Sequence, residues 1–344
     1  MFIDFIYKHF ESSQHIIILY TNKPFNLDTE LFEYENVCDY DKKNVVWLYQ
    51  QLFKADKIVW HNLSVCVPEL FLLSSNLKII KKSIWVVWGG DLYCYLNKKS
   101  SILEKIVEGM RKRVIKNIPV IATLTLGDYE LAVKWYKTKA QNVRLDYCDE
   151  EEIRILSECA KSITKENETI NILVGNSATK SNRHQEVFQL LTKYIDKDIR
   201  VYAPISYGDY LYADEVEQIG IELLQEKFVP IKEYMPLQEY YELLSRMDIA
   251  IFNMNRQQAI GNITSLAYLG KKIYIRRNTS MWDEFVQKKG YAFHAVESIY
   301  DESFESFIKY EENEKNSLYQ YAKNYFDVSL RIQEWKRLFE LKLH

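Results

Sequence analysis

Five scattered cysteines, Cys38, Cys66, Cys94, Cys148 and Cys159, form neither a CxxC pair nor a disulfide-scaffold spacing, so they read as reduced thiols rather than the staples of a small secreted domain. Long apolar runs are missing as well. Stretches such as 16–20 and 84–88 are strand-sized, far short of the roughly 20 residues of a spanning helix. The start Met-Phe-Ile-Asp-Phe has no basic segment leading into a long apolar core, which reads as a cytoplasmic chain. Neither sign of charge dominates: a formal net charge of -3 over 344 residues gives no global attraction to nucleic acid, which is not expected as a partner. There is no Pro-rich linker, low-complexity tract or internal repeat. Gly-x-Ser-x-Gly, the Walker A lysine pattern and an N-terminal Gly-x-Gly-x-x-Gly are absent, which removes the hydrolase, P-loop and dehydrogenase readings. No His pair at ligand spacing occurs and no Asp-x-Asp follows a predicted strand, so neither a metal nor another cofactor is expected.

What remains is an alternation. Apolar strand-like runs at 15–21, 57–60, 83–88, 119–122 and 142–147 are separated by helix-period segments at 42–53, 69–77, 102–116 and 128–136. Residues 148–168 turn charged around an amphipathic helix, and a second series then begins, with strands at 170–174, 199–203, 248–252 and 272–275. Strand-helix alternation implies parallel sheets, and the length suits two domains. The expected division is an N-terminal Rossmann-like domain over 1–160 and a C-terminal one over 161–344, with helices from 301 onward returning across both halves. Aromatics make up 14% of the chain, which serves mainly the core and leaves rings for stacking surfaces.

Three loops of the second half carry most of the chemistry. The run Ile-Asn-Ile-Leu-Val ends at Gly175 and passes through Asn176, Ser177, Asn182 and His184 into a helix. Glycine lets backbone approach an anion, the small polar side chains supply donors, and a helix start favours negative charge, so this turn suits a pyrophosphate. The loop after 252 holds Arg256, a fork for phosphate oxygens, Gln257 and Gln258 for sugar hydroxyls or amides, and Gly261-Asn262 at a helix start. Between them, Tyr207 can stack on a base or sugar, with Gly208 making its turn. In the first half, Trp88-Gly-Gly-Asp-Leu-Tyr93 places Asp91 at a strand end, where it is the leading group to orient or deprotonate an acceptor hydroxyl; His61 and Glu130 compete for that role.

Residues 97–116 combine Lys98, Lys99, Lys105, Arg111, Lys112, Arg113 and Lys116 with an apolar face of Ile102, Leu103, Ile106, Val107, Met110 and Val114. They read as a sheet-packing helix with a solvated basic side, which can also rest on an anionic membrane surface.

Trp88-Gly-Gly-Asp-Leu-Tyr93, Val174-Gly-Asn-Ser177 with Ser181, Asn182 and His184, the 204–208 segment and Arg256-Gln-Gln-Ala-Ile-Gly261 resemble the N-acetylfucosaminyltransferases of enterobacterial common antigen synthesis, which are 4-alpha-L-fucosyltransferase-like. The resemblance covers roughly residues 80–285. It implies an α/β GT-B architecture of two facing Rossmann-like domains, the C-terminal one holding the nucleotide. It further implies a dTDP-sugar donor and a lipid-linked acceptor. The combined expectation is a metal-independent hexosyltransferase, peripheral on the inner face of the cell membrane. It would move an acetamido-dideoxyhexose from a nucleotide-sugar donor to a polyprenyl-linked saccharide acceptor in surface polysaccharide synthesis. Arg256 and Asp91 are its expected catalytic groups. A nucleotide-sugar epimerase of the same architecture and a non-catalytic nucleotide-sugar-binding scaffold remain as alternatives.

Overall fold

The computed structural model describes residues 2–19, 34–39, 44–64, 67–147, 149–162 and 168–343. Cys66, Cys148, residues 20–21 and 42–43 of two expected elements, and 163–167 of the expected connection lie outside the described residues. The chain divides into two compact units, residues 1–150 with 327–344, and residues 151–326. The first boundary thus falls ten residues before the expected one, and the last helix counts with the first unit rather than the second.

In the first unit, β3 (Ile58–His61), β4 (Ser83–Val86), β5 (Val120–Thr123) and β6 (Gln141–Arg144) form a parallel sheet in chain order. A separate parallel pair joins β1 (Ile17–Leu19) to β2 (Val37–Asp39). Every residue of β4 and β5 is buried, as expected for strands covered by helices on both faces. The core gathers Leu73, Ile79, Trp85, Leu92, Ile115 and Ile121. The helix Val328–Glu340 belongs here for a physical reason. Arg331 pairs with Asp146 at 2.6 Å, both almost fully buried, and the Trp335 indole N–H donates to the Asp146 carbonyl at 3.1 Å.

The helix Ile102–Asn117 starts on a capping box between Ser101 and Glu104 and corrects the expected amphipathic reading. Its second half packs through Val114 and Ile115, whereas Ile102, Leu103 and Ile106 are exposed. Arg111, expected on the solvated basic side, is buried and donates to the Asp91 carbonyl. The Arg113 Nε donates to the Ser74 carbonyl at 2.8 Å.

The second unit is built on β7 (Ile170–Val174), β8 (Ile199–Pro204), β9 (Phe228–Ile231), β10 (Ile249–Phe252), β11 (Lys272–Ile275) and β12 (His294–Ala295), all parallel, in the order β12-β11-β10-β7-β8-β9. Its core packs Ile172, Val174, Phe188, Leu191, Val201 and Ile251. β9 has no counterpart among the expected strands, and Pro230 interrupts its run Phe-Val-Pro-Ile. It is an edge strand, the place where a missing N–H is tolerated. Among the described residues no helix is long and apolar enough to cross a membrane.

Candidate functional site

The strand order of the second unit reverses between β7 and β10. At such a switch point the connections leave toward opposite faces and open a crevice beyond the carboxyl ends of the strands. The loops leaving β7 and β10 are the two polar loops singled out by sequence.

Gly175 ends β7 with φ +70°, and its N–H donates to the Ile251 carbonyl at 3.0 Å. A Cβ there would lie 2.7 Å from His184 Nε2 and 2.9 Å from Asn182 Oδ1, so only glycine fits both the backbone and the space. Asn182 is fully buried and organises the turn. Its Oδ1 accepts from the Asn176 N–H at 3.2 Å, while its amide donates to the Ser177 carbonyl at 3.0 Å and to Thr179 Oγ1 at 2.8 Å. The Ser177, Thr179 and Ser181 hydroxyls run in a chain, 3.1 and 3.2 Å apart.

Gln258 fastens the second loop to the first. Its amide donates to Asn176 Oδ1 at 2.9 Å, Ser177 Oγ at 3.2 Å and Thr179 Oγ1 at 3.1 Å, and its carbonyl accepts from Ser181 Oγ at 2.7 Å. The Asn255 N–H reaches the Ser181 carbonyl at 3.3 Å. Gln258 therefore spends its side chain on protein oxygens, a use different from the sugar contact expected for it. Its neighbour Gln257 is buried with Oε1 unpartnered.

His184 opens the helix His184–Leu191, is fully buried and lies 3.3 Å through Nδ1 from the Tyr212 hydroxyl. Burial pulls its pKa down to about 4, so the ring is neutral at pH 7, and its Nε2 is buried without a hydrogen-bond partner. An unsatisfied buried polar atom costs about 1–3 kcal/mol. The Gln257 and His184 atoms are thus places where an incoming hydrogen-bonding group is stabilising.

The helix Ile260–Tyr268 opens beside them, preceded by Ala259 in the left-handed region at φ 59°, a strained conformation of the kind that collects at ligand sites. Gly261 has an ordinary φ and nothing within 4 Å of a Cβ built on it, so the protein's own packing does not require glycine there. Asn262 donates to the Tyr240 hydroxyl at 2.8 Å. Arg256 is half-buried, its Nη1 3.4 Å from the Gln257 carbonyl. On the third loop, Tyr207 is 57% exposed, its hydroxyl accepting from the Asn176 amide at 2.8 Å. Its neighbour Gly208, at φ +121°, would drive a Cβ to 2.5 Å from the Ala178 carbonyl. Sequence reading missed Thr179, Tyr212 and Tyr240 as parts of this network; the hydroxyls at alternate positions 177, 179 and 181 were the available signal for the first.

A cavity of about 600 Å³ lies nearby, lined in part by Glu186, Asn253, Arg276, Glu297 and Tyr300. Its charges are already committed: the Arg276 guanidinium donates to Glu186 at 3.1 Å and to Asn253 at 2.9 Å.

In the first unit, Asp91 is fully buried. Oδ2 accepts from the Trp85 indole at 2.6 Å and the Leu63 N–H at 3.0 Å, and Oδ1 from the Trp88 N–H at 3.0 Å. Burial raises its pKa, and hydrogen bonds from Trp85 and Leu63 oppose the rise. With three donors on it and no exposure, Asp91 holds the strand-end turn together and has no lone pair turned to solvent, contrary to the acceptor-side expectation. His61 ends β3, and its Nδ1 lies 2.6 Å from the Tyr147 hydroxyl, which in turn accepts from the Trp88 indole at 3.0 Å. The Tyr147 hydroxyl thus bridges the Trp88 indole and the His61 ring. Burial lowers the His61 pKa to about 4. Trp88 itself is 51% exposed. Glu130 lies on the exposed side of the helix Leu126–Tyr136.

Among the described residues no group of three His, Cys, Asp or Glu side chains converges to hold a metal ion. β2 ends on Asp39, so the pair Asp39 and Asp41 does follow a strand, with residues 40–43 outside the described ones.

Solved structures share this fold at low sequence identity. HepE from Anabaena, in complex with UDP and glucose, superposes with a TM-score of 0.68 at 11% identity, covering 99% of this chain and 95% of that one. A glycosyltransferase from Rickettsia africae ESF-5 gives 0.65 at 12% identity, covering 98% and 93%. WaaG, a glycosyltransferase involved in lipopolysaccharide biosynthesis, gives 0.55 at 10% identity, covering 94% and 85%. The architecture is that of GT-B glycosyltransferases. The model of the 4-alpha-L-fucosyltransferase family, glycosyl transferase group 56, matches residues 43–340. With the match spanning nearly the whole chain, the protein belongs to that family and is a glycosyltransferase.

Proposed function

We propose that the protein transfers an acetamido-dideoxyhexose, N-acetylfucosamine, from a dTDP-linked donor to a hydroxyl of a lipid-linked saccharide in bacterial surface polysaccharide synthesis. The observation that carries the donor side is the single hydrogen-bonded body that Gln258 makes of the β7 and β10 loops at the switch point. A helix start follows each loop, at His184 and at Ile260, and the N–H groups of a helix start suit a diphosphate. The structure of HepE in complex with UDP and glucose supports a nucleotide-linked sugar on this fold.

In this reading the anomeric carbon loses its bond to the diphosphate oxygen and gains one to the acceptor oxygen, and the proton of the acceptor hydroxyl passes to the departing diphosphate. Negative charge grows on the departing diphosphate. Arg256 and the two helix starts stabilise it there, where charge develops in the transition state. The unpartnered Gln257 Oε1 accepts from a sugar hydroxyl or acetamido N–H. His184 Nε2, neutral at pH 7, meets a donor oxygen through its N–H tautomer. Asn176, Ser177, Asn182, Gln258 and Gly175 shape the turn, Asn262 and Gly261 form the open helix start, and Tyr207 offers its exposed ring to the base. On the acceptor side the exposed Trp88 ring meets the acceptor, with Asp91 positioning the turn that carries Trp88 and Tyr147 linking Trp88 to His61.

A thermal-shift panel of nucleoside diphosphates, followed by transfer assays with the stabilising nucleotide, tests this reading. dTDP should raise the melting temperature most. Arg256→Ala should lower kcat on the order of 10²-fold, more than it weakens donor affinity. Near-normal turnover by a folded Arg256→Ala variant would remove Arg256 from the site. A changed sugar still attached to nucleotide, formed without acceptor, would replace transfer by epimerisation.

A further inference from the structure

The first unit exposes a group of large aliphatic side chains that its fold does nothing to cover. Leu96 is 65% exposed, and on the first turns of the helix Ile102–Asn117 the values are 77% for Ile102, 60% for Leu103 and 54% for Ile106. Scattered single apolar residues on a surface need no explanation, but neighbouring ones on one element mark a contact surface. The element is firmly built rather than frayed. Ser101 Oγ accepts from the Glu104 N–H at 3.1 Å, and the Glu104 carboxylate accepts from the Ser100 and Ser101 N–H groups at 2.7 and 2.8 Å. Farther along, Val114 and Ile115 anchor the helix in the core. The helix Val67–Ser75, which packs beside it, exposes Phe71 as well.

Lysines border this apolar end. Lys98 and Lys105 are exposed, Lys99 is half-buried with its Nζ on the Cys94 carbonyl, and Lys112 is exposed with its Nζ 5.5 Å from the centre of the Tyr95 ring. Glu104 faces them, but its carboxylate is spent on the capping box and held ionised, its pKa lowered to about 2 by those hydrogen bonds. Three lysines against one carboxylate at the helix start leave a positive rim around an aliphatic centre. A protein partner with an apolar patch would match the centre alone. An anionic bilayer matches both parts, with acyl chains for the isoleucines and leucines and phosphate-bearing headgroups for the ammonium groups.

We propose that Leu96, Ile102, Leu103 and Ile106 form a membrane-insertion element, lying in the interface of an anionic bilayer, with Lys98, Lys99 and Lys105 on the headgroups. The element is distinct from the buried Arg111, which takes no part. This deepens the lipid-linked acceptor reading, because it brings the enzyme to the surface that holds such an acceptor, yet vesicle binding is measured without donor or acceptor and stands or fails separately.

The test is flotation of the full-length protein with vesicles of phosphatidylcholine alone and with about one-third phosphatidylglycerol, at low and high salt. Wild type should bind the anionic vesicles and bind less in high salt. The double variant Ile102→Ser/Ile106→Ser should weaken binding about tenfold or more at both salts. The triple variant Lys98→Gln/Lys99→Gln/Lys105→Gln should weaken it about tenfold or more at low salt and remove most of the salt dependence. All of the changed side chains lie outside the core, so circular dichroism should be unchanged and nucleotide-induced stabilisation retained. Failure of wild type to float with anionic vesicles would overturn the proposal, as would unchanged binding by both variants. Concentration-dependent self-association abolished by Ile102→Ser/Ile106→Ser, with no vesicle binding, would also overturn it and make the patch a contact between copies of the chain.

Discussion

Replacing Gln258 tests whether the two switch-point loops act as one ligand-binding body. Its side chain contacts four polar atoms of the turn after β7, the two N–H groups of Nε2 shared among three acceptors and Oε1 accepting one bond. Each such bond contributes roughly 0.5–1.5 kcal/mol net, and the hydroxyls left behind by Gln258→Ala can in part re-pair with one another or with water. A total loss of about 2 kcal/mol is therefore expected, which lowers the melting temperature of a unit of this size by roughly 4–8 °C. Donor affinity should fall further than stability alone explains, because a shift of about 1 Å between the loops misplaces both helix starts relative to the diphosphate; a tenfold or larger rise in the Kd for dTDP, read by isothermal titration calorimetry, is the expected result. Gln258→Glu sharpens the test. It keeps the length of the side chain, and the hydroxyls can turn to donate to it, so stability should suffer no more than in the alanine variant. It also sets a negative charge beside the diphosphate. At an effective dielectric of about 20 and a separation of roughly 6 Å, that repulsion is ~3 kcal/mol, or about a hundredfold in Kd. If both variants bind dTDP within twofold of wild type while melting earlier, Gln258 is a structural tie and the diphosphate lies elsewhere.

Gly175 and Gly261 should behave oppositely. Gly175→Ala places a side chain at φ +70° against His184 and Asn182 and should destabilise the protein by about 2–4 kcal/mol in urea titrations; Gly261→Ala, in open helical backbone, should be neutral or stabilising by roughly 0.5–1 kcal/mol while weakening donor binding, and an unchanged Kd would free that helix start of any ligand. His184 titrates near 4 when folded against 6.5 in the unfolded chain. Below pH 6.5 the unfolded state takes up the proton first, so the stability the neutral ring contributes, about 3 kcal/mol at most, is present at neutral pH and lost as pH falls from 6.5 toward 4. The stability gap between wild type and His184→Gln should therefore shift against wild type across that window, and a gap independent of pH would contradict the neutral buried ring. Asp91→Asn turns an amide N–H₂ toward the donors from Trp85, Leu63 and Trp88 and should cost about 1–3 kcal/mol of stability with turnover of the folded fraction largely kept; loss of turnover at unchanged stability would return Asp91 to the chemistry.

The parallel strands of the second unit were legible because buried parallel strands are nearly continuous apolar runs: β10 is wholly apolar, and β7 and β11 carry one polar residue each, Asn171 and Lys272. Pro230 hid β9, since proline argues against a central strand and only the sheet order identifies an edge. β2 and β12, at three and two residues, are too short for any periodicity to register. The helix Ile102–Asn117 shows a different limit. Its 3.6-residue pattern was read as one apolar stripe facing the core, but the stripe is buried only where a neighbour reaches it, and its first turns carry the same residue types outward. Arg111 shows the complementary limit, because an arginine beside Lys112 and Arg113 reads as solvated, whereas the carbonyls of Leu63 and Asp91 accept from its guanidinium.

The candidate site shows where residue type stops being informative. Asn176, Ser177, Asn182, Gln257 and Gln258 all carry groups able to bind phosphate or sugar, and sequence alone gives each the same claim on the ligand. Satisfaction separates them. Asn182 and Gln258 have their side-chain hydrogen-bonding groups engaged within the protein, so they can set the shape of the turn but have little left to offer a substrate. Gln257 and His184 each keep a buried polar atom without a partner, and burying such an atom is unfavourable unless something completes it. The same distinction governs Asp91 and His61. A carboxylate at a strand end looks like the stronger base, yet three donors and full burial occupy it, whereas His61 is engaged at Nδ1 alone, by Tyr147. Groups that are fully paired explain why the loops hold their conformation, and groups left incomplete indicate what the loops hold it for; the substitutions at Gln258 and Gly261 separate those two roles because one breaks the pairing and the other fills the open space.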